Sequence, residues 1–106
     1  MELVHLTSQN FDEKAKSSKG VVLVDFFATW CGPCRMLSPI LEQVQDEVKD
    51  KATIFKFDVD ESEEISKEFG IMSVPCMVVL KDGQEVSRMV GLRQKAQIVA
   101  ELEKFL

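Results

Sequence analysis

The sequence lacks any uninterrupted apolar stretch of about 18 residues, the length a helix needs to cross a bilayer. Its strongest run, Val21 to Ala28, is short and is interrupted by Asp25. No membrane span is expected, and the chain reads as soluble. The start, Met1-Glu2-Leu3-Val4-His5-Leu6-Thr7, has neither the basic segment nor the longer apolar segment of a secretory signal, so a cytoplasmic, reducing setting is expected. Basic residues are outnumbered, 13 against 18 acidic, for a formal net charge of −5, and they form no Lys/Arg cluster able to track a phosphate backbone. Nucleic acid is excluded as a partner on that ground, while the acidic balance aids solubility and names no substrate. Repeats, low-complexity tracts and linker-like stretches are also missing. A chain of 106 residues with 45% apolar content therefore reads as a single domain, 1–106, able to bury one core without staples.

Histidine occurs once, as His5, and there is no second Cys-x-x-Cys. A zinc site would have only Cys76 and His5 to complete the ligands around Cys31 and Cys34, so no metal is expected. A Cys/His hydrolase would need a histidine base, and His5 lies in a prospective first strand as an edge residue. Three cysteines, an odd number in a chain expected to meet reducing conditions, do not read as a framework of structural bridges.

What is present is an alternation of strand and helix patterns. Leu3 to Leu6 suits a short edge strand, and Ser8 or Asn10 suits the cap of a first helix to about Lys16, with Phe11 and Ala15 on one face. Val21 to Phe27 is β-branched and aromatic without alternation, as expected of a central strand covered on both faces. From Cys34 onward Leu37, Ile40, Leu41, Val44 and Val48 recur at helical spacing, with a kink expected at Pro39. Thr53 to Val59 predicts a third strand, with Phe55, Phe57 and Val59 on one face and Ile54, Lys56 and Asp58 on the other. Asp60 or Ser62 caps a short helix ending near Gly70. Met77 to Leu80 and Glu85 to Val90 flank Asp82-Gly83, a hairpin turn pair. A last helix from about Arg93 to Leu106 presents Ile98, Val99, Leu102, Phe105 and Leu106. The expected fold is α/β, a central mixed sheet flanked by helices in the order β-α-β-α-β-α-β-β-α.

Trp30-Cys31-Gly32-Pro33-Cys34 carries the chemistry. Two cysteines two residues apart at a helix start can close into a small disulfide and reopen with little backbone change. The free N–H groups and the dipole at that terminus favour a thiolate, so Cys31, the nearer and more exposed, is the expected nucleophile, and Cys34 the resolving thiol. Cys34 needs a proton acceptor, and the local candidate is Asp25, a carboxylate in an apolar strand whose burial should raise its pKa.

Taken together, Val24-Asp25-Phe26, Ala28-Thr29-Trp30-Cys31-Gly32-Pro33-Cys34, Val74-Pro75, Lys81-Asp82-Gly83 and Val90-Gly91 resemble the thioredoxin family over essentially the whole chain. The resemblance implies a thioredoxin fold and a general protein-disulfide reductase and electron carrier, an oxidoreductase of redox homeostasis. It implies a cis-Pro75 loop packed against a redox-active Cys31–Cys34 disulfide, substrate contacts from Trp30, Gly32, Pro33, Val74, Pro75 and Gly91, and Lys56 beside Asp25 to assist proton transfer. No bound cofactor is implied; electrons would come from NADPH through a flavin-containing thioredoxin reductase. Further partners by resemblance are ribonucleotide reductase, peroxiredoxin and methionine sulfoxide reductase, met by a monomer. The chain departs from the family's usual pattern at Cys76, where threonine is common, at Arg35 for lysine and at Phe27 for tryptophan. Cys76 reads either as a small apolar filler or as a third redox-active thiol. Met36, Met72 and Met77 read as core or rim packing, with Met72 and Met77 able to enlarge an apolar docking rim. The competing reading of the whole is a redox-inactive thioredoxin-like binding subunit, in which Asp25 and Lys56 are a structural pair.

Overall fold

The computed structural model describes residues 3–106. Strands β1 (Val4–His5), β2 (Val21–Phe27), β3 (Ala52–Asp58), β4 (Cys76–Lys81) and β5 (Gln84–Val90) form one sheet in the order β1-β3-β2-β4-β5. Helices α1 (Gly32–Val48), α2 (Glu63–Glu68) and α3 (Lys95–Glu103) flank it. β2 takes the centre, parallel to β3 and antiparallel to β4, so the sheet is mixed as the element order predicts.

All seven residues of β2 are buried, which explains a strand with no polar alternation. Its pleat still sends alternate side chains to opposite faces. Val22, Val24 and Phe26 enter an aromatic cluster with Phe11 and Phe57, where the Phe11 centroid lies 5.3 Å from that of Phe57 and 6.1 Å from that of Phe26. On the other face Leu23, Ile54 and Val79 pack under Leu37, Leu41 and Val44 of α1 and Ile98 and Leu102 of α3.

Several local expectations are corrected. The first helix is only a π-helical turn, Asp12–Lys16, closed by a bond from the Ser17 N–H to the Asp12 carbonyl. Neither Ser8 nor Asn10 caps it. Phe11 stands at its N-terminus, and the Asn10 side chain instead accepts from the Thr7 N–H at 2.7 Å while the Thr7 hydroxyl accepts from the Asn10 N–H at 3.2 Å, a reciprocal pair that occupies both side chains. β1 is two residues long, and β3 begins one residue earlier than expected and ends at Asp58. α1 starts at Gly32 and, as expected, runs through Pro39 without a break. Ser62, not Asp60, caps α2, accepting from the Ile65 N–H at 3.2 Å. α3 ends at Glu103, and Leu106, expected in its apolar stripe, is 48% exposed beyond the helix. Asp82 and Gly83 both have positive φ, 51° and 83°, as a tight hairpin turn requires.

Because β1 is short, β3 has an edge that it does not cover. The Gln45 side chain of α1 takes that place, accepting from the Ile54 N–H at 2.7 Å and donating to the Ala52 carbonyl at 2.9 Å. Those are the two bonds a parallel neighbour facing Thr53 would make, so a side-chain amide completes the ladder.

Candidate active site

β2 delivers the chain through Ala28-Thr29-Trp30 to Cys31, which caps α1 in an extended conformation. Its Sγ accepts from the Cys34 N–H at 3.2 Å, one of the donors that a helix start leaves without a partner. Pro33 fits the first turn, where no N–H is needed. Cys31 and Cys34 are joined as a disulfide with Cα atoms 5.3 Å apart, so opening or closing it leaves the backbone in place. Cys31 is the more accessible of the two by a small margin, 5% against 2%.

The loop before β4 packs against this pair. The Val74–Pro75 bond is cis, and the Val74 carbonyl oxygen lies 3.8 Å from Cys31 Sγ. The Pro75 carbonyl accepts from the Gly91 N–H at 2.8 Å, and Gly91 has a φ of 93°, a conformation that disfavours a side chain there. Trp30 is 69% exposed, and its Nε1 donates to Asp60 Oδ2 at 3.2 Å. Met36 and Met72 are exposed on the same chain segments, whereas Met77, expected as a possible rim residue, is fully buried in the core under α1. Its place in β4 opposite Asp25 turns it inward. The Arg35 guanidinium is tied to the Thr29 carbonyl at 2.9 Å.

Asp25 and Lys56 are register partners across β2 and β3. Both are buried, yet they form no ion pair. Lys56 Nζ donates to Ser38 Oγ at 2.8 Å and lies 4.5 Å from the Phe27 ring centroid, while both Asp25 carboxyl oxygens lack a hydrogen-bond partner. Burial pushes the Asp25 pKa up to about 7, with the Lys56 charge opposing it only in part. A cavity of ≈ 310 Å³ lined by Phe27, Cys34, Arg35, Ser38 and Lys56 lies beside Cys34 on this side of the sheet.

Cys76 belongs to neither arrangement. It pairs in register with Phe26 and packs in the aromatic cluster, on the sheet face away from α1. Burial pushes its thiol pKa up. His5 sits at the sheet edge with its ring against Phe27 at 5.5 Å. Two polar residues at the site had been passed over. Ser38 lies four residues after Cys34, hence on the same helical face, which the spacing alone reveals. Asp60 meets Trp30 only through the fold, and nothing local marks it.

A disulfide that closes over the first turn of a helix, beside a cis-proline loop and following a central strand that buries an unpartnered aspartate, defines a thiol–disulfide oxidoreductase. The Thioredoxin family model matches residues 2–104. The chain is 45% identical over 106 residues to the thioredoxin of Staphylococcus haemolyticus (strain JCSC1435), and 45% identical over 106 residues to that of Bacillus subtilis (strain 168), covering 100% of both chains in each case. A mutant thioredoxin from Halobacterium salinarum NRC-1 superposes with a TM-score of 0.88 at 34% identity, over 98% of this chain and 90% of the other. The chain belongs to the thioredoxin family.

Proposed function

We propose that the chain is a general protein-disulfide reductase in which Cys31 attacks and Cys34 resolves. The observation that carries this reading is the position of Cys31 Sγ, at the start of α1 with the Cys34 N–H directed at it and the Val74 carbonyl beside it. In the reduced protein the same N–H stabilises a Cys31 thiolate. That thiolate attacks one sulfur of a substrate disulfide, forming a mixed disulfide and expelling the other substrate sulfur as a thiolate. Asp25 accepts the Cys34 proton; the Cys34 thiolate attacks Cys31 Sγ, closes the Cys31–Cys34 disulfide and releases the second substrate thiolate. Two electrons pass to the substrate, and the carboxyl, poised near neutral pH, then returns its proton to solvent.

Trp30, Gly32, Pro33, Val74, Pro75 and Gly91 form the surface on which an extended substrate segment lies. The dithiol is restored by a flavin-containing thioredoxin reductase using NADPH, and the substrates include ribonucleotide reductase, peroxiredoxin and methionine sulfoxide reductase, in the cytoplasm. Among the described residues no helix is long and apolar enough to cross a membrane.

With dithiothreitol the protein should accelerate insulin disulfide reduction, and Cys31→Ser should bring the rate to the uncatalysed background. Full activity in that variant sinks the assignment of the nucleophile. Cys34→Ser should accumulate mixed disulfides through Cys31, released by added thiol; a lysate pull-down without such adducts favours a binding subunit instead.

A further inference from the structure

Lys56 and Asp25 stand side by side on adjacent strands, one able to donate and one able to accept, yet they do not bond. The ammonium points to α1, where Ser38 Oγ receives it at 2.8 Å and the Phe27 ring offers a π face at 4.5 Å. A buried cation facing a buried anion normally closes on it, because each is costly to leave unpaired in low dielectric. A hydroxyl and a ring have taken the place of the carboxylate. We propose that Ser38 is a positioning residue for the proton step: its hydroxyl, with the Phe27 ring, holds the Lys56 ammonium off the Asp25 carboxyl. The proposal rests on the reading of Asp25 as the acceptor of the Cys34 proton.

The consequence follows from charge and distance. A lysine closed on Asp25 would favour the ionised form and weaken the carboxylate as a base, whereas a lysine held on Ser38 leaves desolvation dominant. Lys56 on β3 is the register partner of Asp25, Cys34 and Arg35 of α1 line the cavity beside Lys56, and Cys76 of β4 lies on the opposite face. Arg35 is engaged by the Thr29 carbonyl, so Lys56 is the charge free to redirect. Ser38 lies on the same face of α1 as Cys34, one turn on, so a single helix sets both the thiol and the lysine.

The test titrates the Asp25 carboxyl carbon by NMR in the oxidised protein, where Cys31 and Cys34 carry no thiol. Ser38→Ala removes the acceptor with little risk to the helix and should lower the Asp25 midpoint by about one pH unit. Ser38→Thr keeps a hydroxyl and should restore the wild-type midpoint. In a Lys56→Met background Ser38→Ala should have no effect. In parallel, the rate at which Cys34 resolves a Cys31 mixed disulfide should show its pH midpoint moved down by the same amount in Ser38→Ala. An unchanged carboxyl midpoint, or a shift that persists without Lys56, overturns the positioning role while leaving Asp25 as acceptor intact. A carboxyl midpoint that moves while the resolution profile stays fixed overturns the reading of Asp25, and with it any part for Ser38 in the reaction.

Discussion

The two faces of β2 are built from one strand and hold opposite kinds of environment. One face gives Val22, Val24 and Phe26 to a cluster of aromatic rings that also encloses Cys76. The other gives Leu23, Asp25 and Phe27 to the side where α1 brings Cys34, Ser38 and the Lys56 contact. Both faces bury cysteine sulfur. On the aromatic face Cys76 is enclosed by apolar side chains and burial raises its thiol pKa, which disfavours the thiolate. On the other face Cys31 receives an N–H from the first turn of α1. What distinguishes the two environments is a backbone N–H directed at the sulfur, which burial alone does not provide.

Substitutions on each face should separate these roles. Phe11→Ala, on the aromatic face, should cost about 3–5 kcal/mol of stability in denaturant unfolding and leave insulin reduction intact at temperatures where the variant is folded. A large loss of catalysis in the folded variant would show that the faces are coupled.

The next effect belongs to Asp25. The folded protein keeps this proton to pH about 7, whereas an unfolded chain releases it near pH about 3.9. Within that window the native state binds more protons, so stability falls as pH rises and levels off above pH about 7. The loss is on the order of 4 kcal/mol. In Asp25→Asn the slope should vanish, as measured by denaturant unfolding at several pH values, and resolution of mixed disulfides should slow. A wild-type stability flat across this range would mean that the carboxyl is solvated or paired.

Smaller effects sharpen the contrast further. Gln45→Ala removes both bonds that complete the β3 edge and should cost about 1–2 kcal/mol, with faster amide exchange at Ile54. Retained protection at Ile54 would show that the edge has another cover. Cys76→Ala should cost about 1 kcal/mol and leave activity unchanged. In the native reduced protein Cys76 should resist alkylation until the chain unfolds; rapid labelling would place this thiol in play.

Much of the architecture could be read locally. The unalternating run Val21 to Phe27 announced a doubly covered strand, and Asp82-Gly83 announced the hairpin, because pleat and turn geometry depend on neighbours in the chain. The first helix was misjudged since Thr7 and Asn10 bond to each other instead of capping it. Leu106 was misplaced since α3 ends at Glu103, before the apolar pattern does. At the site, the two cysteines and Asp25 were visible as chemistry in an unusual setting. The partner of Lys56 was not, because an ammonium on a long side chain chooses among acceptors that only packing brings within reach.

By itself, then, the sequence determined the dithiol at a helix start, the aspartate buried in the strand that leads into it and the order of strands and helices, all properties of residues close together in the chain. Tertiary structure decided that Lys56 bonds Ser38 and leaves Asp25 unpaired, that Gly91 reaches Pro75, and that Cys76 lies on the far face. Those outcomes depend on which segments, distant in sequence, share a face of the sheet, and that is set by the register between strands and the docking of α1.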